Sequence, residues 1–299
     1  MAAQVGADYH GRFIIQLLQN ASDQAAEAGL RNSWVTLFRT DEFVALANAG
    51  LPFTLKGLRS ITSLGLRTKN PQDAIGNKGI GFKSVFQVSE SPEIYSSCSV
   101  TESFADAQGL MFKLSLSPFV DPRFDNILRS MVTEQWKDLG RVDESFTIER
   151  MVSEIKAAAP FKFPLPLSET DLKSRIAELG ELPTGQTLVV LPLRKEPETA
   201  ETVEQAIDDL CADGGATILF LPSVSTIRVF DSTRRLARTI SRRTPDSEHR
   251  VERHGQLSTV TTSVSENGVV DEQSWRLIER RMGTPDVVSP AEAARKGPS

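Results

Sequence analysis

The chain has 299 residues, 39% hydrophobic and 24% charged, with a formal net charge of −5. That describes a globular protein with material for one large domain, or one domain and a smaller piece, and argues against both a strongly basic nucleic-acid binder and a disordered acidic chain. Two cysteines (Cys98, Cys211) exclude a disulfide framework, and three histidines (His10, His249, His254) offer no zinc site. With no membrane-length apolar run and no signal sequence, a cytoplasmic location is expected.

The first strongly patterned stretch is FIIQLLQNASDQ, residues 13 to 24. As a helix it lines up Phe13, Ile14, Leu17, Leu18 and Ala21 as an apolar stripe. Gln16, Asn20 and Asp23 fall on another side, at i, i+4 and i+7. Such a stripe is either a solvated face or a surface that meets a ligand. Met1 stands only about a dozen residues earlier, so the chain is expected to begin inside a domain.

NSWVTLFRT and EFVALANAG then read as two strands joined by a turn at Asp41. PFTLKGLRSITSLGL has helical spacing and leads into a polar, Gly-rich segment. Strands are predicted at PEIYSSCSV, GLMFKLSLS and GQTLVVLPLR. Residues 121 to 156 read as helix, FKFPLPLS as an extended connector, and ETVEQAIDDLCADGG as a helix ended by glycines. ATILFLPSVSTIRVF supplies one or two more strands. From Asp231 the composition shifts to Arg, Ser, Thr and Glu, so residues 1–230 are expected to form the main domain and 231–299 a β-leaning tail or the start of a second one. No internal repeat of solenoid period is present.

The Gly-rich segment contains GNKGIGFKS, with Gly76, Lys78, Gly79, Gly81, Lys83 and Ser84. Glycines allow positive φ and close approach of a ligand, and consecutive amides can then cradle an anion, with the lysines supplying charge. It is not a Walker A loop, because Phe82 separates Gly81 from Lys83. It is not a dinucleotide fingerprint either, because Ser84 stands where the third Gly belongs. A flexible surface loop is the plain alternative. Two further pieces bear on the choice. In ANAGLPF, Asn48 and Gly50 sit at a strand's end where a tight turn brings a polar group towards a ligand. In GQTLVVLPL, Thr187 opens a buried strand.

Taken in order, the Asn/Asp helix, the Asn-x-Gly turn, the Gly-rich loop and the Gly-x-Thr strand resemble the GHKL ATPases: DNA gyrase, the ninety-kilodalton heat-shock chaperones, sensor histidine kinases and MutL. LLQNASD, LPFTLKGLRSITSLG and GNKGIGFKSVFQVSESPEI are most similar to the sacsin and NO VEIN type. The resemblance spans roughly residues 10 to 225. It implies an α+β sandwich of the Bergerat type, a mixed sheet backed by helices, with ATP held under a mobile lid. By that resemblance Asn20 holds Mg²⁺ against the phosphates and Asp23 supports the pocket. Asn48 takes the position, usually Asp, that meets the adenine amino group, and Gly50 opens the turn. Gly76, Lys78, Gly79 and Gly81 form the lid, and Thr187 completes the adenine contact through water.

The departure is Gln16. Four residues before the Mg²⁺-binding Asn, that family usually has a Glu that activates the attacking water. A neutral amide cannot accept a proton near neutral pH, so Gln16 is no general base, although it can orient a water. The expected function is therefore ATP-Mg²⁺ binding as a conformational switch with weak or absent hydrolysis. The alternatives are a slow ATPase whose base comes from a partner or another segment, and a nucleotide-free interaction module. A protein client, or further domains of a larger chain, are the expected partners, with no membrane and with nucleic acid disfavoured. The cluster Arg234, Arg235, Arg238, Arg242, Arg243, Arg250 and Arg253 is interleaved with acids and reads as a solvated loop before it reads as a nucleic-acid patch. His10 in YHGRF lacks the adjacent acid of a phosphoacceptor, which disfavours histidine kinase activity. Trp34, Trp136 and Trp275 read as packing residues.

Overall fold

The computed structural model describes residues 12–54, 57–58, 61, 81–96, 110–115, 122–139, 147–158, 164–179, 187–243, 250–252 and 255–279. Helix α1 spans Phe13–Glu27, and strands β1 (Ser33–Arg39) and β2 (Phe43–Asn48) follow it. Their turn is fixed by Thr40, whose hydroxyl oxygen accepts from the Phe43 amide at 3.0 Å and the Glu42 amide at 3.2 Å. A short 3-10 helix, Phe82–Gln87, precedes β3 (Glu93–Ser96) and β4 (Met111–Lys113). Helices α2 (Pro122–Leu139) and α3 (Ile148–Ala158), strand β5 (Leu165–Pro166), helix α4 (Glu169–Leu179) and strand β6 (Thr187–Pro192) come next. Helix α5 (Pro197–Cys211) leads through a 3-10 segment, Asp213–Phe220, to β7 (Val224–Asp231), β8 (Leu236–Arg243), β9 (Arg250–Glu252), β10 (Gly255–Glu266) and β11 (Val269–Glu279).

These strands form one 11-stranded mixed sheet in the order β11-β10-β8-β7-β1-β2-β6-β3-β4-β5, with β9 paired to β10. β1 and β7 run parallel, whereas β1–β2, β2–β6 and β3–β6 are antiparallel. The fold is an α+β sandwich. One face carries Val35, Leu37, Val44, Leu46 and Val189 against Phe13, Ile14, Leu17 and Leu18 of α1 and Val203, Ile207 and Leu210 of α5. The other carries Phe43, Ala45, Ala47, Tyr95 and Val190 against Leu172 and Leu179 of α4. Every residue of β2 is therefore buried, as expected for a strand covered on both sides. On the α4 side Arg175 grips the Glu93 carboxylate through Nε at 2.8 Å and Nη2 at 3.0 Å, and Tyr95 donates to the same carboxylate at 2.9 Å. Burial, with that carboxylate beside it, holds the Tyr95 hydroxyl well above the ordinary phenol range.

Two expectations change. Between positions 121 and 156 the described residues form two helices, α2 and α3, with Thr147 in neither. ATILF is 3-10 backbone, not strand: Gly214 and Gly215 take φ of 59° and 77°, turning the chain before β7 begins. A short apolar run alone does not separate a strand from a buried helical turn. Among the described residues after Asp231, β8 to β11 continue the sheet outward from β7. The helical reading of PFTLKGLRSITSLGL falls mostly outside the described residues, which include helical positions 57, 58 and 61.

Candidate functional site

α1 is amphipathic, and its apolar stripe fixes which side faces away from the sheet. Phe13, Ile14, Leu17, Leu18, Ala21 and Ala25 are buried, while Gln16, Asn20 and Gln24 are half-exposed along one i, i+4, i+8 row. Asp23, beside that row, is 7% exposed. Ser22 is buried too, its hydroxyl oxygen 3.4 Å from the Ser223 amide.

The end of β2 comes up against this row. Asn48 is 3% exposed and stands opposite Thr187 of β6. Its Nδ2 donates to Gln24 Oε1 and to the Ala49 carbonyl, both at 3.1 Å. With both amide hydrogens directed at carbonyl oxygens, the orientation of the Asn48 amide is set. Two residues on, Gly50 has φ +148°, and a Cβ there would lie 3.0 Å from the Gln24 carbonyl carbon. The Leu51 amide donates to the Gln24 carbonyl at 3.3 Å. The turn thus rests on the helix backbone, an approach that only glycine permits.

Thr187 is 2% exposed, with its Oγ1 3.2 Å from Ser96 Oγ at the end of β3. Ser96 Oγ also accepts from the Phe53 amide at 2.6 Å, tying the segment after Gly50 to the same corner. Across α1, Gly81 lies against Gln16: a Cβ on Gly81 would collide with Gln16 Oε1. Gly81 precedes the 3-10 helix, whose Ser84 hydroxyl donates to the Gly81 carbonyl at 2.7 Å. Lys83, in that helix, is half-buried, and burial lowers its ammonium pKa. No carboxylate among the described residues pairs with it.

Gln16, Asn20, Asp23, Asn48, Gly50, Gly81 and Thr187 thus lie along α1, at the adjoining strand ends and at the start of the 3-10 helix; Gln16 meets Gly81, and Asn48 is hydrogen-bonded to α1. Gly76, Lys78 and Gly79 lie outside the described residues. Gln24 and Ser96 complete this corner. Gln24 is signalled by its spacing from Gln16 and Asn20, whereas Ser96 follows only from the β3–β6 register.

The Arg cluster is not a solvated loop where the structure describes it. Arg234 donates to Asp231 at 2.7 Å and to Asp208 at 3.0 Å, and Arg238 donates to Glu266 at 2.7 Å. Arg39 reaches Asp231 from β1 at 3.2 Å. Arg234, Arg238, Asp208 and Glu266 line a shallow cavity of about 360 Å³ beside Cys211, whose thiol pKa is raised by burial. Each of the two lining cations already has a carboxylate, so the cluster fastens α5 to the sheet. Trp275, one of the expected packing residues, donates to Thr262 Oγ1 at 2.8 Å.

No family model matches the chain. Over 85 residues, 28% of the chain, it is 38% identical to Protein NO VEIN of Arabidopsis thaliana. The match spans 3% of that much longer protein. No helix among the described residues is long and apolar enough to cross a membrane. What the comparisons establish is a local likeness to one plant protein, on a chain that folds as an α+β sandwich.

Proposed function

We propose that this corner binds ATP with Mg²⁺, in the manner of a Bergerat-type domain, and that the chain is a nucleotide-dependent conformational switch with weak or absent hydrolysis. One observation carries the reading: the Gln16–Asn20–Gln24 row, the Asn48–Gly50 turn and Gly81 are separate in sequence and meet along α1. The likeness to Protein NO VEIN agrees with it.

The residues present suit such a ligand. Asn48 Oδ1, its amide orientation set by Gln24, accepts the hydrogen of a 6-amino purine. Gly50 holds the turn close to α1 and keeps that edge of the pocket free of side-chain bulk. Thr187 and Ser96 present paired hydroxyls at the inner end, suited to a bridging water. Asn20 offers an amide oxygen for the metal, and Lys83, which pairs with no carboxylate among the described residues, a cation for phosphate. Bound Mg²⁺ would neutralise triphosphate charge. Gln16 can orient a water but cannot take its proton.

The test is a calorimetric titration with ATP, with and without Mg²⁺, and with adenosine. Asn20→Ala is expected to weaken ATP-Mg²⁺ binding clearly more than adenosine binding, with the thermal midpoint little changed. Equal losses for the two ligands would remove Asn20 from the metal. A nucleotide-free interaction module is the second reading, favoured by the Asn48 and Thr187 polar groups already having partners within the chain. Absence of ATP binding by the folded protein would establish it over the first.

A further inference from the structure

The described sheet ends in two unlike edges. At one end β5 has two residues. At the other, β11 runs the 11 residues Val269–Glu279, all in register with β10 and without a bulge. Long edges are usually blunted by lysine, proline, a bulge or a covering element. VVDEQSWRLIE has no lysine and no proline, and among the described residues nothing pairs with its outer edge. Val269 and Val270 are 75% and 56% exposed. The strand is also firmly held. Asn267 and Gly268, with φ of 49° and 85°, make the tight hairpin turn. Trp275 Nε1 donates to Thr262 Oγ1, which donates in turn to the Gly214 carbonyl at 2.7 Å.

The sequence of this edge is complementary to itself. In a full antiparallel overlap of two copies, the two-fold axis passes through Ser274 and position 269 stands opposite 279. Glu272 then faces Arg276, and Arg276 faces Glu272. Asp271 faces Leu277 and Gln273 faces Trp275, so no like charges meet between positions 271 and 277. Moving the axis to Trp275 loses both opposite-charge pairs. Across the hairpin neither charge meets an opposite one: Glu272 stands opposite Ser263 and Arg276 opposite Thr259. Both residues are exposed.

We infer that β11 is a homodimer edge, pairing antiparallel about Ser274 with β11 of a second copy to make one continuous sheet. The inference does not depend on nucleotide binding. A two-fold edge makes each contact twice, so a single substitution is felt at two places.

Sedimentation equilibrium of the full chain across the micromolar range tests it. The unaltered protein is expected to show a concentration-dependent monomer–dimer equilibrium. Glu272→Arg and Arg276→Glu each turn two opposite-charge pairs into two like-charge pairs, and each is expected to raise the dimer Kd by about tenfold or more. Mixing the two variants in equal amounts is expected to restore dimer, because one chain then offers two cations where the other offers two carboxylates. Unchanged thermal midpoints would show that the fold survives both changes. A monomer at every concentration would overturn the proposal, as would a dimer indifferent to both substitutions or no recovery on mixing.

Discussion

Gly50→Ala probes the corner where β2 ends on α1. Two costs are separable there. At φ +148° an L-residue is strained, a cost of about 1–3 kcal/mol. The added Cβ would also lie 3.0 Å from the Gln24 carbonyl carbon and from Gln24 Cβ, and 3.1 Å from the Ala25 amide nitrogen. These are mostly backbone atoms of a packed helix, and they yield only if the turn moves. Overpacking of that kind costs about 1–3 kcal/mol. Together the two give about 2–6 kcal/mol, a large share of the roughly 5–15 kcal/mol that holds a domain folded. Gly29→Ala is the internal control. Gly29 has φ +72° but nothing within 4 Å of a Cβ, so only the left-handed penalty of about 1–2 kcal/mol applies. Urea unfolding of both variants, compared at equal m-values, is the assay. The expected result is that Gly50→Ala loses clearly more stability than Gly29→Ala and also weakens adenosine binding. If the two lose the same stability, the close approach of the turn to α1 contributes nothing and the reasoning fails.

Two further outcomes are expected. Gln16→Glu, nearly isosteric, should raise ATP turnover by about 10²-fold or more with little change in affinity; rapid Mg²⁺-dependent hydrolysis by the unaltered chain would show that the base comes from elsewhere. Burial alone would raise the Asp231 carboxyl, but hydrogen bonds from Thr233 and Arg234 and the charge of Arg39 outweigh it and leave the pKa below its usual value. Its stabilising contribution is thus complete above the unfolded-state value of about 4 and is lost as pH falls through the lower folded value. Thermal midpoints measured downward from pH 5 should fall more steeply for the unaltered protein than for Asp231→Asn, and parallel curves would count against the carboxylate.

Much of the fold was legible because its signals are local. The apolar stripe of α1, the strand pair around Asp41, the apolar run after Thr187 in β6 and the helix α5 all follow from periodicity and turn chemistry over a dozen residues. The order of strands was not legible. That β6 lies between β2 and β3 is decided by packing over both sheet faces, which no window of sequence contains. The β10–β11 hairpin was there to be read in ENGVV, since Asn-Gly between alternating residues favours a tight primed turn. At the site, Asn20, Asn48 and Thr187 came from motif order. Ser96 did not, because nothing around it in sequence marks it, and only the pairing of β3 with β6 brings its hydroxyl to Thr187.

The parallel pairing of β1 with β7 carries a consequence for how the chain acquires its structure. β1 is a central strand, yet one of its two neighbours is about as remote in sequence as this fold allows: the Arg39–Asp231 bond spans 192 positions. During synthesis the strand emerges early with one side unpaired, and its backbone groups wait until residues 224–231 have been made. Contacts of such long sequence separation slow folding and prolong the time in which an open strand can meet another chain. A ribosome-bound fragment ending before Val224 should therefore remain protease-sensitive throughout β1, and protection should arrive abruptly once Asp231 has cleared the exit tunnel.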